Sequence, residues 1–122
     1  MNKRVLIFDD ETDIVMVIKL LLEEHLYEVE YRLEVDHLLP VVRDFKPQLI
    51  FMDHWIPTMG GIDATRLLRS KPECAGIPVV YISSNPELQV VAEQAGAEAV
   101  LAKPFENQQL LELVKSLIGP AE

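Results

Sequence analysis

Short apolar runs at residues 5–8, 49–52, 79–82 and 99–102, with a looser one at roughly 29–32, alternate along the chain with longer stretches of mixed character. The runs are continuous rather than alternating in polarity, which is the pattern of strands buried on both faces of a parallel sheet. The stretches between them, near 12–25, 36–44, 62–70, 87–95 and 106–118, read as helices. Five successive β-then-α repeats predict a single doubly wound α/β domain. Cap and loop residues agree with this reading. Pro86 falls at a first helical position after Asn85, Gly96 falls where that helix should close, and Pro47 and Pro78 stand in loops entering two strands.

In a right-handed arrangement of such repeats, the C-terminal ends of all the strands lie along one edge of the sheet, where ligands bind. The residues that end the runs are therefore the candidates for chemistry. They are Asp9 and Asp10 after the first run, Asp53 after the third, Ser83 and Ser84 after the fourth and Lys103 after the fifth. Each has an ordinary reading when taken alone. Asp9, Asp10 and Glu11 would charge a helix start, Ser83 would cap a helix, and Lys103 would be a loop lysine. Asp53 resists such a reading, because an unpaired acid at a buried strand end is costly.

Taken together these residues make a site. Two like charges about 4 Å apart at an effective dielectric near 20 repel by roughly 4 kcal/mol, and a bound cation or a raised pKa relieves that repulsion. Carboxylate oxygens suit Mg2+ and its phosphate partners. A lysine and a hydroxyl at the same edge would hold phosphate oxygens, and an aspartate there can accept a phosphoryl group as a nucleophile.

Composition narrows the function classes. The 122 residues include 20 acids against 11 bases, a net charge of −9, which argues against the domain itself holding a nucleic-acid backbone, since that needs a basic surface. Its single cysteine, Cys74, can form no internal disulfide. The N-terminal apolar run is too short for a signal peptide or a membrane span. A cytoplasmic protein without membrane association is expected.

With those residues in place, the chain resembles response-regulator receiver domains of two-component signalling, the CheY-like (flavodoxin-like) fold, along essentially its whole length. The motifs are "VLIFDDE" at 5–11, "LIFMDHWIPTMGG" at 49–61, "PVVYISS" at 78–84 and "AKPF" at 102–105. The resemblance implies one receiver domain over 1–122, without an output domain, on a five-stranded sheet of order 2-1-3-4-5. It implies Asp53 as phosphoacceptor and a Mg2+ cofactor held by Asp10 and Asp53, with Asp9 assisting and the backbone carbonyl of Trp55 adding an oxygen. Ser83 and Lys103, with Ser84 beside them, would contact the phosphoryl group, and Lys103–Pro104 would be a cis peptide. Pro57, Gly60 and Gly61 would shape the loop after Asp53, the glycines by tolerating left-handed angles. The donor would be a sensor histidine kinase or a histidine phosphotransfer protein. Phosphorylation would switch protein contacts, with no external substrate turned over and a homodimer as an open alternative.

Three features stand apart from the family pattern. Val100 occupies the position, three residues before the lysine, where these domains carry the Tyr or Phe whose rotamer reports phosphorylation. Trp55 is large for its place and would shield an acyl phosphate from water. The first helix, "DIVMVIKLLLEEHL", is apolar nearly all round. With a core stripe of Ile14, Val17, Ile18, Leu21 and Leu22, a partner surface is expected at Ile14, Val15 and Met16. Two other functions fit the acidic set less well. An aspartate-dependent phosphohydrolase wants a DxD nucleophile after the first strand, where this chain has Asp9-Asp10-Glu11. A binding module that has lost phosphorylation would have little use for an intact set of acids, serine and lysine.

Overall fold

The computed structural model describes residues 2–54, 59–85, 87 and 89–122. Strands and helices alternate: β1 (Arg4–Phe8), α1 (Thr12–Glu24), β2 (Glu28–Arg32), α2 (Leu38–Phe45), β3 (Leu49–Asp53), α3 (Gly61–Arg69), β4 (Val79–Ser83), α4 (Gln89–Ala95), β5 (Ala99–Ala102) and α5 (Asn107–Ile118). All four strand pairings are parallel and the order is β2-β1-β3-β4-β5, as expected from the resemblance.

The continuous apolar runs are explained by two cores, one on each face of the sheet. Alternate residues of the strands serve them in turn. Val5, Ile7, Leu49, Phe51, Val80 and Ile82 pack with Val15, Ile18 and Leu22 of α1 and Leu110, Leu111 and Val114 of α5. Leu6, Phe8, Ile50, Met52, Val79 and Tyr81 pack with α2, α3 and α4 through Leu38, Val42, Ala64, Leu68 and Ala92. Each large apolar side chain so buried contributes about 1.5–3 kcal/mol. β2 departs from the pattern: its residues alternate, with Val29 and Tyr31 facing the first core and Glu28, Glu30 and Arg32 exposed on the other face.

α1 corrects the expected partner surface. Val15 is fully buried in the first core, and Ile14 and Met16 are half-buried against it, so Val15 presents nothing to a partner. Val17, placed by the sequence in the core stripe, is instead 46% exposed, and Leu20 is 64% exposed. A helix apolar on nearly every face carries no internal signal of which face meets the sheet. The inward stripe is 15–18–22 because the sheet lies on that side.

At the far end of the fold the expected helix stop is present. α4 ends at Ala95 and Gly96 follows with φ +108°, a backbone angle that suits glycine. A Cβ there would also stand 2.7 Å from Cγ of Arg69, whose Nε donates to the Gly96 carbonyl at 2.8 Å. At the other end of α4, Asn85 Oδ1 accepts the Glu87 N–H at 3.0 Å and the helix begins at Gln89. Pro86, expected at the helix start, lies outside the described residues, as do Trp55 and Pro57.

Candidate functional site

Asp9 follows β1 directly, and its amide N–H donates to the Arg32 carbonyl at 3.2 Å. Asp53 is the last residue of β3, in register with Ile82 of β4. Ser83 ends β4, and its carbonyl accepts the Lys103 N–H at 2.9 Å, which sets the lysine just past the C-terminal end of β5. Parallel pairing thus delivers the run-end residues to one edge. Asp10, Asp53, Ser83, Ser84 and Lys103 line a cleft together with Glu11, His54 and Asn85. The Lys103–Pro104 peptide is cis.

Lys103 is the hub of this edge. Its ammonium lies 2.9 Å from Asp53 Oδ1, 2.8 Å from Glu11 Oε1 and 3.3 Å from Asp9 Oδ2. Asp53 and Asp9 are both buried. Carboxylate oxygens of Asp9, Asp10 and Asp53 lie within 4.8 Å of one another. Asp9 Oδ1 accepts the Glu11 N–H at 2.8 Å, while its buried Oδ2 makes no hydrogen bond among the described residues. Ser83 Oγ accepts the Asn85 N–H at 3.0 Å and donates to the Asn85 carbonyl at 3.2 Å.

The charges are under tension. Burial raises the Asp9 pKa to about 6, with the Asp53 charge adding to the rise and the Glu11 N–H and Lys103 opposing it. Burial likewise raises Asp53, against Lys103 and with the charges of Glu11 and Asp10. For Lys103, burial alone would lower the value. Its bonds to Glu11 and Asp53 and the charges of Asp9 and Asp53 outweigh that and raise it, so the lysine stays cationic.

The sign of the resulting pH dependence follows. Asp9 binds its proton more tightly in the folded state than at the ordinary value of 3.8. Between those values the folded protein holds a proton that the unfolded chain releases, so stability falls as pH rises through the window. The metal-free protein is expected to gain about 1 kcal/mol from this group on going from pH 7 to pH 5. Urea denaturation in EDTA at the two pH values checks it, and Asp9→Asn should flatten the difference.

The donor set fits a hard cation. Three carboxylates supply oxygen ligands, and Asp9 Oδ2 is a buried acceptor with unused lone pairs. Sequence reasoning missed Glu11 as a partner of Lys103, reading it only as a helix-start charge. Its adjacency to Asp10 was the available signal, but the contact spans 92 positions. His54 also lines the cleft and pairs through Nδ1 with the Tyr81 hydroxyl.

Gly61 is required for a reason other than the one expected. Gly60 has φ −63°, and neither Gly60 nor Gly61 has a left-handed angle. Gly61 instead lies against the phosphoacceptor candidate: a Cβ there would stand 2.2 Å from the Asp53 carbonyl oxygen and 2.9 Å from Tyr81 Cε1.

Comparison with known proteins bears on the whole chain. The sequence pattern of the response regulator receiver domain matches residues 5–115. Over 118 residues the chain is 26% identical to the DNA-binding response regulator MtrA of Mycolicibacterium paratuberculosis, covering 95% of this chain and 51% of that protein. The chain therefore spans about half the length of the curated relatives it matches. The receiver domain of NtrX from Brucella abortus superposes with a TM-score of 0.86 at 26% identity, covering 93% of this chain and 97% of that one. The receiver domain of sensor histidine kinase PA1611 from Pseudomonas aeruginosa, solved with a magnesium ion coordinated in its active-site cleft, shares the fold with a TM-score of 0.88 at 24% identity, covering 98% of this chain and 99% of that one.

Proposed function

The chain belongs to the response regulator receiver domain family, and from that premise we propose that Asp53 accepts a phosphoryl group from a phosphohistidine donor, with Mg2+ as cofactor. A receiver domain is a signalling domain of two-component systems, and the reading here concerns which residues carry the signal. The observation that carries it is the placement of Asp53: a buried carboxylate at a strand tip, 2.9 Å from a lysine and within a cluster of three acids.

Asp9, Asp10 and Asp53 would hold the metal, which when bound supplies positive charge to the phosphoryl oxygens. The backbone carbonyl of Trp55, expected as a further ligand, lies outside the described residues. An Asp53 carboxylate oxygen forms the new bond to phosphorus as the donor's phosphorus–nitrogen bond breaks, and the leaving imidazole keeps the electron pair. Lys103, freed from part of its bond to the carboxylate, takes a phosphoryl oxygen, and Ser83, with Ser84 at the cleft rim, offers hydroxyl donors. The added charge and three acceptor oxygens then redraw the hydrogen bonds of Lys103 and Ser83, which is the switch.

The partners on this reading are a sensor histidine kinase or a histidine phosphotransfer protein, and the domain turns over no external substrate. A net charge of −9 argues against the domain itself binding a nucleic-acid backbone. No helix among the described residues is long and apolar enough to cross a membrane, and we place the domain in the cytoplasm with its donor.

The test is intact-mass analysis after incubation with acetyl phosphate, with and without Mg2+. A phosphoryl adduct that forms only with Mg2+ is expected. A folded protein that gains none, beside a receiver that does, would remove the reading.

A further inference from the structure

Tyr81 lies in β4 with no solvent exposure. A phenol buried this far is costly unless its hydroxyl is bonded, and its partner is Nδ1 of His54, the residue directly after Asp53. The two rings meet edge to face, with centroids 5.7 Å apart and planes at 69°. Burial first, and then the charge of Asp53, raise the phenol's pKa, so the hydroxyl keeps its proton at neutral pH.

Tyr81 also reaches the other end of the segment that follows β3. Its Cε1 lies against Gly61, the first residue of α3. His54 is held by its backbone as well: its N–H donates to the Ile82 carbonyl at 3.2 Å, and its carbonyl accepts the Gly61 N–H at 3.1 Å. One buried side chain therefore supports both the exit from β3 and the entry to α3. The Asp53–His54 peptide, which aims the Asp53 carboxylate, is part of the held unit.

We propose that Tyr81 is a positioning residue for the phosphoacceptor site, holding Asp53 through His54 in the geometry that lets the acidic cluster bind Mg2+. This rests on the reading of Asp9, Asp10 and Asp53 as a metal site. A residue that only fills the core would be replaced by phenylalanine without consequence for metal affinity, since the ring and its packing are kept. A residue that orients a ligand through one intermediate would not, and loss of such a supporting bond lowers metal affinity about 10-fold or more.

The protein contains a single tryptophan, Trp55, two positions after Asp53, which provides a fluorescence signal for Mg2+ titration without phosphorylation. The parent, Tyr81→Phe, His54→Ala and the double variant are titrated with MgCl2, with calorimetry as the second measurement. Each single variant is expected to need about tenfold more Mg2+ for half-saturation, and the double variant no more than His54→Ala alone. Tyr81→Phe with the parent's half-saturation, whatever its melting temperature, overturns the inference alone. Additive losses in the double variant overturn it too, since they mean that Tyr81 does not act through His54. A parent that binds no Mg2+ by either measurement removes the metal-site reading and the inference with it.

Discussion

Replacement of Asp53 by asparagine is expected to abolish the phosphoryl adduct and, in the metal-free protein at neutral pH, to raise the melting temperature. The first outcome follows from the nucleophile. An amide oxygen does not form the acyl phosphate, and among the described carboxylates Asp53 alone is the last residue of a strand and hydrogen-bonds Lys103. The second follows from the energetics of the same carboxylate. Its pKa is raised, burial being the largest cause, so in the folded state ionisation is a net cost despite Lys103. Asparagine keeps the shape and an acceptor oxygen while removing the charge, and Lys103 retains Glu11 and Asp9.

The pH dependence identifies the cause. The cost of the Asp53 charge is fully present above its raised folded value and absent below the ordinary value of 3.8. The gap in melting temperature between variant and parent should therefore close as pH falls toward that value. Thermal denaturation in EDTA across the acid range reads this directly. A variant that melts below the parent at pH 7 would mean that the Lys103 pair outweighs burial. A persisting adduct would place the nucleophile elsewhere.

The second large effect is expected at Gly61. An alanine Cβ would stand 2.2 Å from the Asp53 carbonyl oxygen, 2.9 Å from Tyr81 Cε1 and 3.0 Å from the Asp53 carbonyl carbon. Two of those atoms are backbone of a central strand, which has sheet partners on both sides and little room to retreat. The fold must either part α3 from β3 or shift the end of β3. Gly61→Ala is expected to lose about 3 kcal/mol or more of stability. Because the strain falls on Asp53 itself, phosphorylation by acetyl phosphate should slow by roughly a hundredfold in the protein that remains folded.

Gly60→Ala is the control. Among the described residues its Cβ would meet only the His54 carbonyl oxygen, at 4.0 Å, and φ is −63°, so the cost should stay within about 1 kcal/mol, that of an ordinary N-cap change. Urea denaturation and the time course of adduct formation for both variants check the pair. Equal effects at the two positions would refute the close-approach account.

Much of the site was legible because strand ends carry their own punctuation. An apolar run that stops at Asp9, Asp53, Ser83 or Lys103 says both where the strand ends and what stands there. The glycine pair after Asp53 was legible as a requirement but not as a reason. The sequence pointed to left-handed angles, whereas Gly61 is needed because a side chain would collide with Asp53. The α1 surface was misread for a related cause: with apolar residues around the whole helix, Val15 and Val17 are interchangeable in sequence and opposite in environment.

By itself, then, the sequence determined the alternation of five strands with five helices, the parallel two-sided sheet and the acids, hydroxyls and lysine gathered at its edge. Those features depend on local periodicity and on right-handed connections, which any stretch of chain expresses without reference to distant residues. Only the tertiary structure decided which face of α1 is buried, that Glu11 reaches Lys103, that His54 meets Tyr81 and that Gly61 presses on Asp53. Each of those contacts is set by strand register and by where a helix comes to rest on the sheet, and steric exclusion between segments far apart in the chain leaves no mark in either segment alone.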